Sequence, residues 1–471
     1  MGGFKYFVRK KRSSTSTEYT GKLKLADAQM KAFRKYRKGE NIFMTGPGGT
    51  GKTALIKEIV ADAGFRDINY QVCALTGCAA VLLNCSAKTI HSWAGIGLGS
   101  GDIDYIADKV YKNKMLLKRW VTTKLLIIDE VSMMSQKIIE LLDKIGKKCR
   151  NSKKPFGGVQ VIFSGDFFQL APVGDDEDET TSNFCFESKV FNDLFSKNNC
   201  IEFESIFRQK DNVYQNILNQ IRVGVIKKST IRILNHQVNR KYDETQPIKP
   251  TLLYPLRKTV QKINKTAMKK LQTEEKLFIM TEHTSKQAPK IMNNYEIQFL
   301  KSNTNCEKKL KLKIGAQVMC IVNMLDETGV ICNGSKGVVT KFSENGFPVV
   351  KYLCGLELEM KPHQWKSEIR KSIYIEQIPL MLAWAVTIHK SQGASIELAE
   401  IDVGNDIFAC GQTYVALSRV TDLKGLYLIG FDYRKIAVSK KVKKFYKSLR
   451  EKDKPAVKPI KIGSGGATRK D

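Results

Sequence analysis

Short apolar runs punctuate the first part of the chain, each followed by a stretch with helical spacing. Asn41 to Thr45 reads as a buried strand, and Ala54 to Ala63 follows with Leu55, Ile56, Ile59 and Val60 on one helical face. Gln71 to Ala74, Leu125 to Ile128 and Val159 to Phe163 are further runs of the same kind. Continuous apolar runs of this length, alternating with helices, predict parallel strands covered on both faces. The rhythm changes between Asn264 and Ile378. Ala316 to Val322, Gly337 to Phe342 and Val349 to Tyr352 read as strands, with turn signals at Asn333-Gly334 and Asn345-Gly346. Short strands with such turns predict a small β-barrel inserted into an α/β domain.

The connection after the first strand is Gly46-Pro47-Gly48-Gly49-Thr50-Gly51-Lys52-Thr53, which meets G-x-x-x-x-G-K-[ST] at every fixed position. Strand, glycine loop and helix are the context in which this motif binds phosphate. The glycines bring backbone N–H groups close to phosphate, and the helix N-terminus adds partial positive charge. Lys52 reaches the β- and γ-phosphates, and the Thr53 hydroxyl is a ligand for Mg²⁺.

The run at Leu125 ends in Asp129-Glu130. Carboxylates at the edge of a buried strand beside a phosphate loop suit Asp129 to Mg²⁺ and Glu130 to polarising water as general base. Gln169, just beyond the strand ending at Phe163, is placed to sense the γ-phosphate. Gln29, ahead of the loop, has an amide suited to adenine, although most exposed glutamines do nothing specific. Thr76-Gly77 opens a helix with small residues, leaving N–H groups for a nucleic-acid phosphate. His91 with Trp93 suits contact with a strand, although a lone histidine is more often structural. Thr387, His389, Lys390 and Ser391 follow the apolar run from Ile378 and are four donors to a phosphate backbone.

Charge narrows the partner. The 471 residues carry 78 Lys and Arg against 47 Asp and Glu, a net +31. Such an excess points to nucleic acid before anionic membrane. The longest uncharged apolar run, Ile378 to Ile388, is too short to span a bilayer. Eleven scattered cysteines without a C-x-x-C pair argue against zinc and for reduced thiols in an intracellular compartment. The basic N-terminus has no apolar signal region. Asp175 to Glu179 reads as a solvated acidic loop.

Together these residues resemble superfamily 1 DNA helicases of the RecD-like, Pif-one-like branch. The resemblance runs from about 23 to 450 and rests on GPGGTGKT, on Asp129-Glu130-Val131-Ser132-Met133, and on Gly165-Asp166 through Gln169. It continues in Ala383 to Gly393 and in Gln412 to Arg419. It implies that Gln29 contacts adenine, and that Arg208 and Arg419 reach the γ-phosphate from a second motor domain. An arginine arriving from another domain stabilises developing charge only when a cleft closes, which turns nucleotide state into motion.

The expected fold is α/β, with two RecA-like P-loop NTPase motor domains and an SH3-like β-barrel inserted in the second. The expected limits are a basic arm over 1–24, a first motor over 25–200 with a small wedge near 85–115, and a second motor over 201–265 and 376–435. The insertion covers 266–375, and a basic helix and tail cover 436–471. The expected activity uses ATP and Mg²⁺ to move on single-stranded DNA, 5′-to-3′ by resemblance alone, and to unwind duplex junctions in replication, repair or recombination. The expected working unit is a monomer, away from membranes. A translocase that strips proteins without unwinding, an RNA helicase and an idle DNA-binding factor are the alternatives. Intact Lys52, Asp129, Glu130 and Arg419 argue against the last.

Overall fold

The computed structural model describes residues 24–451, apart from 84, 86, 98, 100, 176, 210, 239, 243–248, 286–288, 305, 323, 327–328, 332–334, 353–354, 368–369, 394 and 397. The Asn333-Gly334 turn, nearly all of the N-terminal arm and the tail after 451 lie outside the described residues.

Six strands form the first sheet: β1 (Ile42–Thr45), β2 (Tyr70–Ala74), β3 (Lys88–Thr89), β4 (Leu125–Asp129), β5 (Gln160–Ser164) and β6 (Cys200–Glu202). Their order is β3-β2-β4-β5-β1-β6 and every pairing is parallel. Alternation along β4 shows why its run is uninterrupted. Leu125 and Ile127 enter the core beneath the helices Asp27–Arg37 and Lys52–Phe65. Leu126 and Ile128 enter a second core on the other face, around the helix Gln136–Cys149. A strand buried on both faces has no polar positions to spare.

One expected boundary changes. Cys200–Glu202 pairs with β1, so the first sheet extends past residue 200. The region around 85–115 supplies β3 and buries Ile90, Trp93, Ile96, Ile106 and Val110 in the first domain's core.

The second sheet is parallel and four-stranded, in the order Ala385–Thr387, Thr251–Tyr254, Ala399–Val403, Leu426–Phe431. Its core is closed by the helices Asn212–Val223, Lys228–Gln237 and Gln412–Leu417. Between its first two strands in sequence lies the insertion. Gln317–Cys320, Lys336–Phe342, Pro348–Tyr352, Glu357–Glu359 and Leu380–Leu382 form a five-stranded antiparallel sheet with its own core. The turn at Gly346 joins two of its strands, and its N–H donates to the Ser343 carbonyl at 2.8 Å. The helix Lys440–Arg450, expected as the start of a basic helix and tail, returns to the first domain and buries Val442 and Tyr446 there.

Candidate active site and nucleic-acid interface

The phosphate loop is shaped by its glycines. At Gly46, φ is 136° and a Cβ would stand 2.2 Å from the Phe203 carbonyl oxygen. At Gly49, φ is 85° and a Cβ would stand 2.6 Å from the Arg208 Cβ. Only glycine allows both conformation and approach. The Lys52 ammonium folds over the loop and donates to the carbonyls of Gly46 at 2.7 Å and Pro47 at 2.9 Å. Burial pushes its pKa below the ordinary lysine value, against the pull of Asp166, Glu130 and Asp129. The Thr50 hydroxyl donates to the Pro47 carbonyl at 2.9 Å.

Gln29 is buried against the same loop. Its Nε2 donates to the carbonyls of Thr50 and Gly51, both at 3.3 Å, and its Oε1 accepts from the Ala26 N–H at 2.9 Å. Both ends of the amide are engaged here, so an adenine contact would have to exchange these bonds.

Asp129 ends β4 and is buried. Burial, then the neighbouring Glu130 charge, raises its pKa to about 6. Glu130 has φ 56°, left-handed for a residue that is not glycine. Such strain costs on the order of 1–3 kcal/mol and gathers at functional sites. Its Oε2 accepts from Gln392 Nε2 at 3.2 Å, and the same amide lies 3.5 Å from Gln169 Oε1.

The opposite wall comes from the second domain. Arg419 is buried, with Nε donating to the Val415 carbonyl and Nη2 to the Ser418 hydroxyl, both at 2.9 Å. Burial, then the nearby Arg208 charge, lowers its pKa to about 10. A Cβ placed on Gly48 would lie 3.8 Å from both Arg419 Nη2 and the Tyr414 hydroxyl. That hydroxyl accepts from the Gly48 N–H at 2.9 Å, occupying a loop amide suited to phosphate. Arg208 donates to the Ser418 carbonyl at 3.4 Å, while Phe207 N–H donates to the Gly49 carbonyl at 2.8 Å.

No group of three or more metal-ligating side chains is gathered among the described residues. Asp129 and the exposed Thr53 hydroxyl are hard oxygen donors. That pair fits Mg²⁺, which takes one or two protein oxygens and fills its shell with phosphate and water.

The nucleic-acid candidates divide. Thr387, His389 and Lys390 line a cleft of about 1410 Å³ between the second sheet and the insertion. Arg257, Lys265, Lys301 and Lys309 line it too. Ser391 does not face this cleft: it is buried, and its hydroxyl donates to the Ile388 carbonyl at 2.8 Å, closing a turn. Thr387 is largely covered, and its hydroxyl accepts from the Lys390 N–H at 3.4 Å. On the first domain, the Thr76 hydroxyl accepts from the Ala79 N–H at 3.2 Å and caps the helix that begins at Gly77. Burial pushes the His91 pKa down to about 4, so the ring is neutral near pH 7. Trp93 is a core residue, 1% exposed and 4.6 Å from the Trp120 ring, not a surface for a nucleic-acid strand.

Sequence reasoning missed Tyr414 and Gln392, although both sit inside recognised runs. It also missed the roles of Arg222 and Tyr446, whose shared partner Asp166 lies far from both along the chain.

A phosphate loop on one parallel sheet, with arginines and a tyrosine from a second against it, defines a two-domain P-loop protein of RecA-like helicase fold. The PIF1-like helicase model matches residues 24–232, and the model of the DNA helicase Pif1 2B domain matches 298–342. The chain belongs to the PIF1-like helicase family. It is 33% identical over 440 residues to ATP-dependent DNA helicase PIF1 of Danio rerio, covering 91% of this chain and 64% of that protein. It therefore spans just under two thirds of that relative. The crystal structure of Pif1 helicase from Candida albicans superposes with a TM-score of 0.78 at 32% identity, covering 91% of this chain and 100% of that one. Pif1 helicase from Bacteroides in complex with ADP-AlF3 and ssDNA gives 0.68 at 28% identity, with 91% and 98% covered.

Proposed function

We propose that the chain is an ATP-dependent, Mg²⁺-requiring DNA helicase that moves 5′-to-3′ on single-stranded DNA and opens duplex junctions. The observation that carries this reading is the placement of Arg419 and Tyr414, from one domain, against Gly48 of the other. Hydrolysis and domain closure then share a single interface.

The loop amides and Lys52 hold the phosphates of ATP once Lys52 leaves its carbonyl partners and Tyr414 releases the Gly48 amide. Mg²⁺, held by Asp129 and Thr53, would neutralise phosphate charge. Glu130 takes the proton of the attacking water, while Arg208 and Arg419 stabilise charge on the transferring group. Gln169 and Gln392 carry the phosphate state from Glu130 to the turn that begins at His389. Single-stranded DNA lies along the basic cleft, with Thr76, Gly77 and His91 on the first domain continuing the track. The five-stranded antiparallel sheet of the insertion supports an SH3-like module flanking that track. We take the working unit as a monomer in a reducing intracellular compartment.

Strand displacement on 5′-tailed and 3′-tailed duplexes, with DNA and RNA tracking strands, tests the reading. Unwinding of the 5′-tailed DNA alone is expected. ATP turnover without displacement would make the chain a translocase, and preference for an RNA track would make it an RNA helicase.

A further inference from the structure

Tyr446 lies in the helix Lys440–Arg450, outside both motor sheets, yet its hydroxyl sits beneath the nucleotide site. It is 2.5 Å from the Thr45 hydroxyl, immediately before the phosphate loop. It accepts from the Phe167 N–H at 3.2 Å and donates to Asp166 Oδ1 at 3.3 Å. Asp166 in turn accepts both Arg222 Nε and Arg222 Nη2 at 2.9 Å. Arg222 comes from the second domain, in the helix Asn212–Val223, and its guanidinium lies 4.6 Å from the Phe168 ring centroid and 5.3 Å from that of Tyr446. The Phe168 and Tyr446 rings stack at 4.6 Å. One turn further along the same helix, Arg450 binds Glu202 at 3.0 and 2.8 Å, and Arg222 Nη1 lies 3.7 Å from that carboxylate.

We propose that Tyr446 is a positioning residue for ATP turnover: its hydroxyl fixes Asp166 so that Arg222 of the second domain docks on it bidentately when the cleft closes. The inference rests on the helicase reading and extends it to a residue outside both sheets. The geometry gives the reason. A carboxylate takes a guanidinium through two parallel bonds only if its plane is held, and the Phe168 N–H and Tyr446 hydroxyl are the groups that hold it. Arg222 and Asp166 are both buried, so loss of either one alone leaves the other as an uncompensated buried charge. The carboxylate belongs to the segment that ends at Gln169, whose Oε1 lies 3.5 Å from the Gln392 amide that also donates to Glu130. The orientation of Asp166 is therefore tied to the placement of the catalytic water-polarising group.

The test uses the full chain and DNA-stimulated ATPase measured with an oligothymidylate. Tyr446→Phe keeps the ring stack and the contact with Arg222 but loses the hydroxyl. It should lower kcat by about threefold to tenfold, the scale of one ordinary intramolecular hydrogen bond, with KM for ATP and nucleotide-free DNA affinity close to wild type. Arg222→Lys keeps the charge and loses the fork, and should lower kcat similarly. The double variant should lose little beyond the larger single effect, because both substitutions break one linkage. A merely structural tyrosine would lower the melting temperature and leave kcat of the folded protein unchanged. Unchanged kcat in Tyr446→Phe, or losses that multiply in the double variant, overturns the proposal. Absence of DNA-stimulated turnover in the wild type would instead overturn the helicase reading.

Discussion

Glu130 accepts a hydrogen bond at 3.2 Å from Gln392, a residue 262 positions further along the chain and on the other motor domain. The group read as general base is thus joined to the turn that carries His389 and Lys390. Glu130→Gln keeps the shape and loses the base. Nucleotide and Mg²⁺ binding should survive while hydrolysis slows by at least roughly a hundredfold, within the range for general-base loss. Binding titrations beside single-turnover hydrolysis decide it; loss of nucleotide binding would make Glu130 a metal-holding or structural group.

Arg419 tests whether the second domain takes part in chemistry. Its guanidinium is buried beside Gly48 while remaining held by its own helix. Arg419→Ala should keep near-normal ATP affinity and single-strand binding. DNA-stimulated hydrolysis should fall by at least about a hundredfold, a conservative bound for a group of this kind. Normal turnover by the folded variant would remove closure of the cleft from the mechanism.

The cleft between the second sheet and the insertion predicts strong salt dependence. Contact with roughly five phosphates gives a log–log slope of about −3.5 for a single strand, and about a hundredfold loss between 50 and 200 mM salt. A flat titration by fluorescence anisotropy would mean that the net charge of +31 does not reflect a DNA track.

What was legible follows from locality. The loop from Gly46 to Thr53 and the run Leu125 to Asp129 were readable because a short segment contains the whole requirement: strand, turn and carboxylate. Sheet order and the return of the last helix were not. Lys440–Arg450 carries so many lysines that it resembles a solvated tail, and the partners of Tyr446 are Thr45 and Asp166, 401 and 280 positions away. Ser391 misled because a donor next to a buried strand looks the same whether it faces a ligand or closes its own turn. Trp93 misled because its indole fills the space beside Trp120, and composition cannot show that space.

Gly46 predicts a failure of folding rather than of chemistry alone. A Cβ there would meet the Phe203 carbonyl oxygen at 2.2 Å, with φ at 136°. Gly46→Ala should destabilise the protein by more than about 1 kcal/mol, since the native conformation is incompatible with a side chain. Denaturant unfolding measures this; an unchanged midpoint would mean that the loop relaxes freely.

Asp129 links the site to pH. Its pKa in the folded, ligand-free protein is about 6, raised from 3.8 by burial and by Glu130. A raised carboxyl pKa means that the folded state holds the proton more tightly than the unfolded state. This contribution therefore favours folding most below about pH 4, declines as pH rises, and is a full penalty above about pH 6. The penalty is at most roughly 3 kcal/mol. Asp129→Asn removes the ionisation while nearly keeping the shape. The ligand-free variant should melt above the wild type at pH 8, with the advantage shrinking steadily as pH falls toward 4. It should also lose Mg²⁺-dependent turnover, because an amide is a poorer partner for a hard cation than a carboxylate. Melting curves of both proteins across that pH range, without nucleotide or Mg²⁺, isolate the first effect from the second. A difference in melting temperature that does not change with pH would show that Asp129 is already ionised at little cost in the folded protein. The charge for Mg²⁺ would then stand ready throughout, and acidification toward pH 5 would leave Mg²⁺ affinity unaltered.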